Sequence, residues 1–335
     1  LLPYCMDVLA DQDLCITFFI VGKDAAQEPN RPALALIPEH GHTVGNHSFH
    51  HEPWLHFYER SRIEDEIDAT EAAIHAATGL TPRGFRGPGF SWSETLLQVL
   101  TERGYEFDAS TLPTYIGPLA RMYYFWSSSF SRQERDQRKT LFGTIADGRR
   151  KVKPYEWHLN GKGQNGRNGH THAGYAGYAA ARPVVIGTAR ESVAVASAGA
   201  TSPGNHTAPG LLEIPVTTIP VVKLPFHLSY LLYLSRFSRT LMMTYLRTAI
   251  AMCRATGTEP SFLLHPLDLL GGDQVPELAF FPGMDLSAGH KLEVFTTVMH
   301  ELTRHFQPVD MYTHARAIHS RMEGWRPVGV WSLQK

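Results

Sequence analysis

Residues 39–51 read EHGHTVGNHSFHH, and they follow ITFFIVGKDA at 16–25. CITFFIV (15–21) is apolar, β-branched and aromatic, the composition of a buried strand. RPALALIPEHG (31–41) has a helical pattern that stops at Gly41, and HTVGNH (42–47) is a second strand. Two strands joined through a helix, with histidines crowded at the end of the second, set the reading of the rest.

The rhythm continues. SRIEDEIDATEAAIHAATG (61–79) is an amphipathic helix, with Ile63, Ile67, Ile74 and Ala77 on one face and its carboxylates on the other. GFRGPG (84–89) and YEFDAS (105–110) supply strand ends around a helix N-capped by Ser93. LLEIPVTT (211–218) and PSFLLHPL (260–267) are further strands, and PVDMYTHARAI (308–318) closes with a strand and a helical turn. Strand–helix alternation predicts parallel strands with helical crossovers: an α/β chain, best drawn as one barrel-like domain. In such folds, functional residues gather at the C-terminal ends of strands. Residues 1–159 and 211–335 form its two parts. Residues 160–210, rich in Gly, Ala, Asn and Ser, read as a low-complexity surface insertion.

The chain of 335 residues carries a formal net charge of -1, which gives a nucleic-acid partner no electrostatic support. No uncharged run reaches membrane-spanning length. Part of 226–252, with Phe226, Leu231, Tyr233 and Leu234 near Arg236 and Arg239, is a candidate for peripheral contact with a membrane interface or a lipid-linked sugar. Cys5, Cys15 and Cys253 lie far apart, build no disulfide framework and fit a reducing, cytoplasmic location.

His47 and His51 stand four apart. On a helical turn that spacing sets Cβ atoms about 5–6 Å apart on one face, suited to two nitrogen ligands of one zinc-like ion. His50 points elsewhere on that turn. A third ligand is needed.

Five stretches in order, ITFFIVGKDA, EHGHTVGNHSFHH, GFRGPGF, FDAS and FLLHPLD, resemble successive motifs of the polysaccharide deacetylase family, the NodB-homology group or carbohydrate esterase family four. HSFHH matches the family's His-Ser/Thr-x-x-His motif and is the most specific piece; the resemblance extends over nearly all of the chain outside 160–210. It implies a distorted (β/α) barrel and hydrolysis of an N-acetyl or related acyl group on an amino sugar, with a divalent metal, zinc foremost. His47 and His51 would bind the metal. Arg86, followed by Pro88, would orient the catalytic carboxylate, and His265 would act as general acid. Asp108, Pro88 and Asp268 would line the substrate groove, with Asp268 also tuning His265. The family's Thr-Phe-Asp-Asp-Gly motif, which carries the base aspartate and third ligand, is expected ahead of Leu1 on a first strand absent here; Asp7, Asp11 and Asp13 do not replace it by spacing. A non-catalytic carbohydrate-binding relative lacking the aspartate dyad is the alternative. No Gly-x-Ser-x-Gly elbow supports a serine hydrolase.

Overall fold

The computed structural model describes residues 1–115, 147–157, 159, 210–281 and 283–323. The expected insertion at 160–210 lies outside them except for Gly210. The other described residues belong to one compact unit built from 1–159 and 211–335.

Helix α1 (Leu2–Ala10) leads into strand β1 (Thr17–Ile20), the short helix α2 (Gly22–Ala25), helix α3 (Arg31–Glu39) and strand β2 (Thr43–Asn46). Helix α4 (Arg60–Thr78), strand β3 (Gly84–Phe85), helix α5 (Glu94–Glu102) and strand β4 (Phe107–Asp108) follow. Strands β5 (Tyr155–Glu156) and β6 (Leu212–Glu213) come next, then helices α6 (Leu228–Ser235), α7 (Arg239–Thr256), α8 (Ala288–Thr303) and α9 (Met311–Glu323). Ser93 caps α5 as expected, its side chain accepting from Leu96 N–H.

The strands form one sheet of order β1-β2-β3-β4-β6-β5; all neighbours are parallel except β5 and β6. Parallel β4 and β6 align Phe107 with Leu212 and Asp108 with Glu213. Side chains alternate along a strand. Phe107 and Leu212 therefore pack with Tyr312, Ala315 and Ile318 of α9, and Asp108 and Glu213 face the opposite way. Ile63, Ile67, Phe85 and Leu96 pack α4 and α5 on β3. Met6, Leu231, Leu246 and Phe295 join α1, α6, α7 and α8 in the largest apolar cluster.

Three expectations change. Among the described residues the sheet is open, with β1 and β5 at its edges, rather than closed into a barrel. PSFLLHPL does not join as a strand: Thr217 N–H donates to Ser261 O at 3.1 Å, but Ser261 N–H turns to Thr217 Oγ1 at 2.7 Å, so a side chain takes the bond a ladder needs. PVDMY forms no strand either; Asp310 Oδ1 accepts from Tyr312 N–H at 2.9 Å and helps start α9.

Candidate active site

Strand β2 ends at buried Asn46, whose Nδ2 donates to Tyr105 Oη at 2.9 Å and whose Oδ1 accepts from Ser48 N–H at 2.9 Å. Ser48 Oγ then accepts from His51 N–H at 3.1 Å. Ser48 and His51 adopt φ of 59° and 57°, in the left-handed region. The expected helical turn is thus not what brings the two histidines together. A loop with two left-handed residues does so, setting His47 Nε2 and His51 Nε2 3.2 Å apart.

His47 Nδ1 donates to Arg86 O at 2.5 Å. That bond fixes the proton on Nδ1 and leaves Nε2 as the acceptor, which here takes the bond from His51 Nε2; it is the arrangement in which a backbone carbonyl orients a metal-binding histidine. Two nitrogens about 2.0–2.1 Å from one tetrahedral ion lie about 3.3–3.4 Å apart, so the observed separation fits a shared ion. Burial pushes His47 down to about 3, against the Arg86 carbonyl bond, and His51, Arg86 and His265 add to the lowering. Partial burial lowers His51 too, against nearby Asp24. Both shifts favour the neutral ring. No cluster of three His, Cys, Asp or Glu side chains with ligand geometry occurs among the described residues. His50 turns away, donating from Nδ1 to Glu66 Oε1 at 2.6 Å.

Arg86 extends from β3 with its guanidinium carbon 4.2 Å from the Phe19 ring centroid and its Nε donating to Ala109 O at 3.2 Å. Burial brings Arg86 down to about 10, while the charges of Asp108 and Glu213 oppose the shift. Asp108 and Glu213 are fully buried. Ser110 Oγ donates to Asp108 Oδ1 at 2.5 Å. Glu213 accepts from Thr111 N–H at 3.1 Å, Thr111 Oγ1 at 2.5 Å and Trp157 Nε1 at 3.1 Å. Burial lifts Asp108 to about 6 and drives Glu213 well above the usual carboxylate range, with Asp108 adding to the rise.

His265 forms a second group. Its Nδ1 lies 3.2 Å from Ser229 Oγ and 3.5 Å from Asp268 Oδ2, its N–H donates to Asp268 Oδ2 at 2.9 Å, and Ser229 Oγ donates to Asp268 Oδ1 at 2.7 Å. Burial alone would raise the Asp268 carboxyl, but the bonds and charge of His265 hold it below its ordinary range. His227 stands ring to ring with His265 at 5.8 Å. Its Nδ1 is buried and meets no hydrogen-bond partner among the described residues. Burial takes His227 down to about 4. The two groups lie within electrostatic reach: His265 depresses His47, and Arg86 depresses His227.

The structure thus gathers His47, His51 and Arg86, and places His265 and Asp268 together. Asp108, Pro88 and Asp268, expected to line a groove, are all buried. Asp108 sits beside Arg86 and Asp268 supports His265; Pro88 opens the tight turn Pro88–Phe90. Glu213, Glu66, Ser229 and His227 were not foreseen. A lone carboxylate inside the apolar run LLEIP marks Glu213, and Glu66, three and four residues from Ile63 and Thr70, stands on the buried face of α4. No comparable signal marks Ser229.

The polysaccharide deacetylase family matches residues 1–107. The similarity to that family rests on this segment, a smaller part than the motif resemblance implied; Asp108 and His265 fall beyond it. The chain is 31% identical over 105 residues to the peptidoglycan-N-acetylmuramic acid deacetylase PdaA of Bacillus subtilis, covering 31% of this chain and 39% of that protein. It is 30% identical over 107 residues to a chitooligosaccharide deacetylase of Bradyrhizobium, covering 30% and 48%. It therefore spans less than half the length of these curated relatives. A solved structure of a candidate polysaccharide deacetylase from Mycobacterium smegmatis covers all of this chain and 81% of its own, with a TM-score of 0.52 and 14% identity. That likeness shows the fold.

Proposed function

We propose that the protein hydrolyses an N-acetyl or related acyl group from an amino sugar in a glycan or glycolipid precursor, using a divalent metal, zinc foremost. The observation that carries this reading is the pair of Nε2 atoms 3.2 Å apart, with His47 oriented by the Arg86 carbonyl. His47 and His51 would hold the ion, which supplies a polarised acyl carbonyl and an acidified water when bound. His265, half exposed and braced through Nδ1 by Ser229 and Asp268, would give a proton to the leaving nitrogen from Nε2. Arg86 would orient a base carboxylate. That base and the third ligand are the parts this reading still requires. The similarity to deacetylases of peptidoglycan and chitooligosaccharide supports a carbohydrate substrate. A lipid-linked sugar, with the α6–α7 region at a membrane surface, is the finer form of the proposal. Among the described residues no helix is long and apolar enough to cross a membrane.

The absence of a third ligating side chain among the described residues favours a second reading, a carbohydrate-binding relative without catalysis. Acetate release from N-acetylglucosamine oligomers, measured with zinc or cobalt supplied, separates the two. Release that disappears in His47→Ala supports the hydrolase. Saturable oligomer binding without release supports the binding protein.

A further inference from the structure

We infer that Glu66 is a positioning residue that sets the geometry of His47 and His51; this rests on reading that pair as the metal-holding end of the site.

The loop from His47 to His51 contains two left-handed residues, Ser48 and His51, and so needs external fixing. Its backbone is clamped from two sides. Gly22 N–H and Lys23 N–H, at the start of α2, donate to Ser48 O at 3.0 Å and Phe49 O at 2.9 Å. Glu66, from α4, holds the other side. Its Oε2 accepts from Phe49 N–H at 2.8 Å and His50 N–H at 3.0 Å, while Oε1 accepts from His50 Nδ1 at 2.6 Å. The remaining loop amides are taken by Ile20 O for His47, Asn46 Oδ1 for Ser48 and Ser48 Oγ for His51. Among the described residues every bond of the Glu66 carboxylate goes to this loop, and the residue is only 5% exposed. A buried carboxylate that served the helix would bond the helix; this one bonds the middle of a segment whose two ends are the imidazoles. The angle between those rings therefore depends on a side chain that touches neither of them.

The test is cobalt titration of the full chain, read by visible absorption, beside its thermal unfolding. Glu66→Gln keeps an acceptor for the two backbone amides, and its affinity is expected within about threefold of the unsubstituted chain. Glu66→Leu removes all three bonds, and the shorter Glu66→Asp cannot span them. Each is expected to weaken cobalt binding by roughly tenfold or more in the folded chain. A residue that served fold stability alone would lower the melting temperature and leave the affinity of the folded chain unchanged; that result overturns the inference. If Glu66→Leu does not fold, Glu66→Asp decides. Imidazole nitrogen NMR of the metal-free chain is a second readout. The His47 and His51 signals are expected to move in Glu66→Asp and stay in Glu66→Gln; unmoved signals in both overturn the inference. Should the unsubstituted chain bind no cobalt, the metal reading falls, and the NMR result alone judges Glu66.

Discussion

His47 takes its orientation from the backbone of Arg86, not from its guanidinium: Nδ1 donates to the Arg86 carbonyl at 2.5 Å. Side-chain and backbone changes at this turn should therefore separate. Arg86→Met is expected to leave cobalt affinity within about threefold while abolishing acetate release. Gly87→Ala should do more harm to the metal pair, because a Cβ there would lie 1.9 Å from Ser91 O, a backbone atom that cannot step aside. A roughly tenfold loss of cobalt affinity is expected. Equal affinities for the two variants would show that the carbonyl bond has no such role.

His265 should affect chemistry without affecting the metal. His265→Ala is expected to lower kcat on an N-acetylglucosamine oligomer by roughly 10²–10⁴ with cobalt affinity unchanged. Ser229→Ala removes one of two supports of Nδ1 and should lower kcat less, with little change in KM. A variant that loses cobalt along with turnover would place His265 among the ligands instead.

Two buried groups give stability opposite pH dependences. His227 falls to about 4 in the fold from an ordinary 6.5. Between those values the unfolded chain binds the extra proton, so stability is lost as pH falls from 6.5 towards 4. Asp108 rises to about 6 from 3.8. There the folded chain binds the extra proton, so stability is lost as pH rises from 3.8 through 6. Each effect is worth up to about 3 kcal/mol. Urea unfolding at pH 4.5 and 7.5 should show His227→Phe losing less on acidification than the unsubstituted chain, and Asp108→Asn losing more. Parallel pH dependences for all three would refute the assignment.

Glu213 should be replaceable by an amide but not by a hydrocarbon. Glu213→Gln keeps one acceptor oxygen, enough for Thr111 N–H and Oγ1, sets its amide NH2 opposite Trp157 Nε1, and relieves the crowding of two buried carboxyls. Glu213→Leu strands Thr111 N–H and Trp157 Nε1 without acceptors. The leucine variant is expected to be less stable than the glutamine variant by roughly 1–3 kcal/mol, the cost of stranding Thr111 N–H, measured by urea unfolding. A leucine variant as stable as the glutamine variant would mean that these donors find water.

The strand–helix alternation was readable through β4 because each element there carries its own periodicity and stop signal: the Ile63–Ala77 stripe, Ser93, Gly41. Beyond that point the chain depends on partners distant in sequence. SFLLH looks like a strand, yet the Thr217 hydroxyl takes its ladder bond. The pairing of His47 with His51 was also legible, but for the wrong local reason, since composition does not announce left-handed backbone at Ser48. Glu66 and Glu213 were hidden by the ordinary expectation that carboxylates face water. What keeps them inside is donors supplied by other segments, which the linear order of residues does not display.

Strands β5 and β6 run antiparallel, with Trp157 N–H donating to Leu211 O at 2.9 Å. That pairing sets Tyr155 opposite Glu213 and Glu156 opposite Leu212. Trp157 and Glu213 stand on either side of that antiparallel pair, and the indole N–H of one donates to the carboxylate of the other at 3.1 Å, so β5 is tied to the same carboxylate that lies beside Asp108 in register.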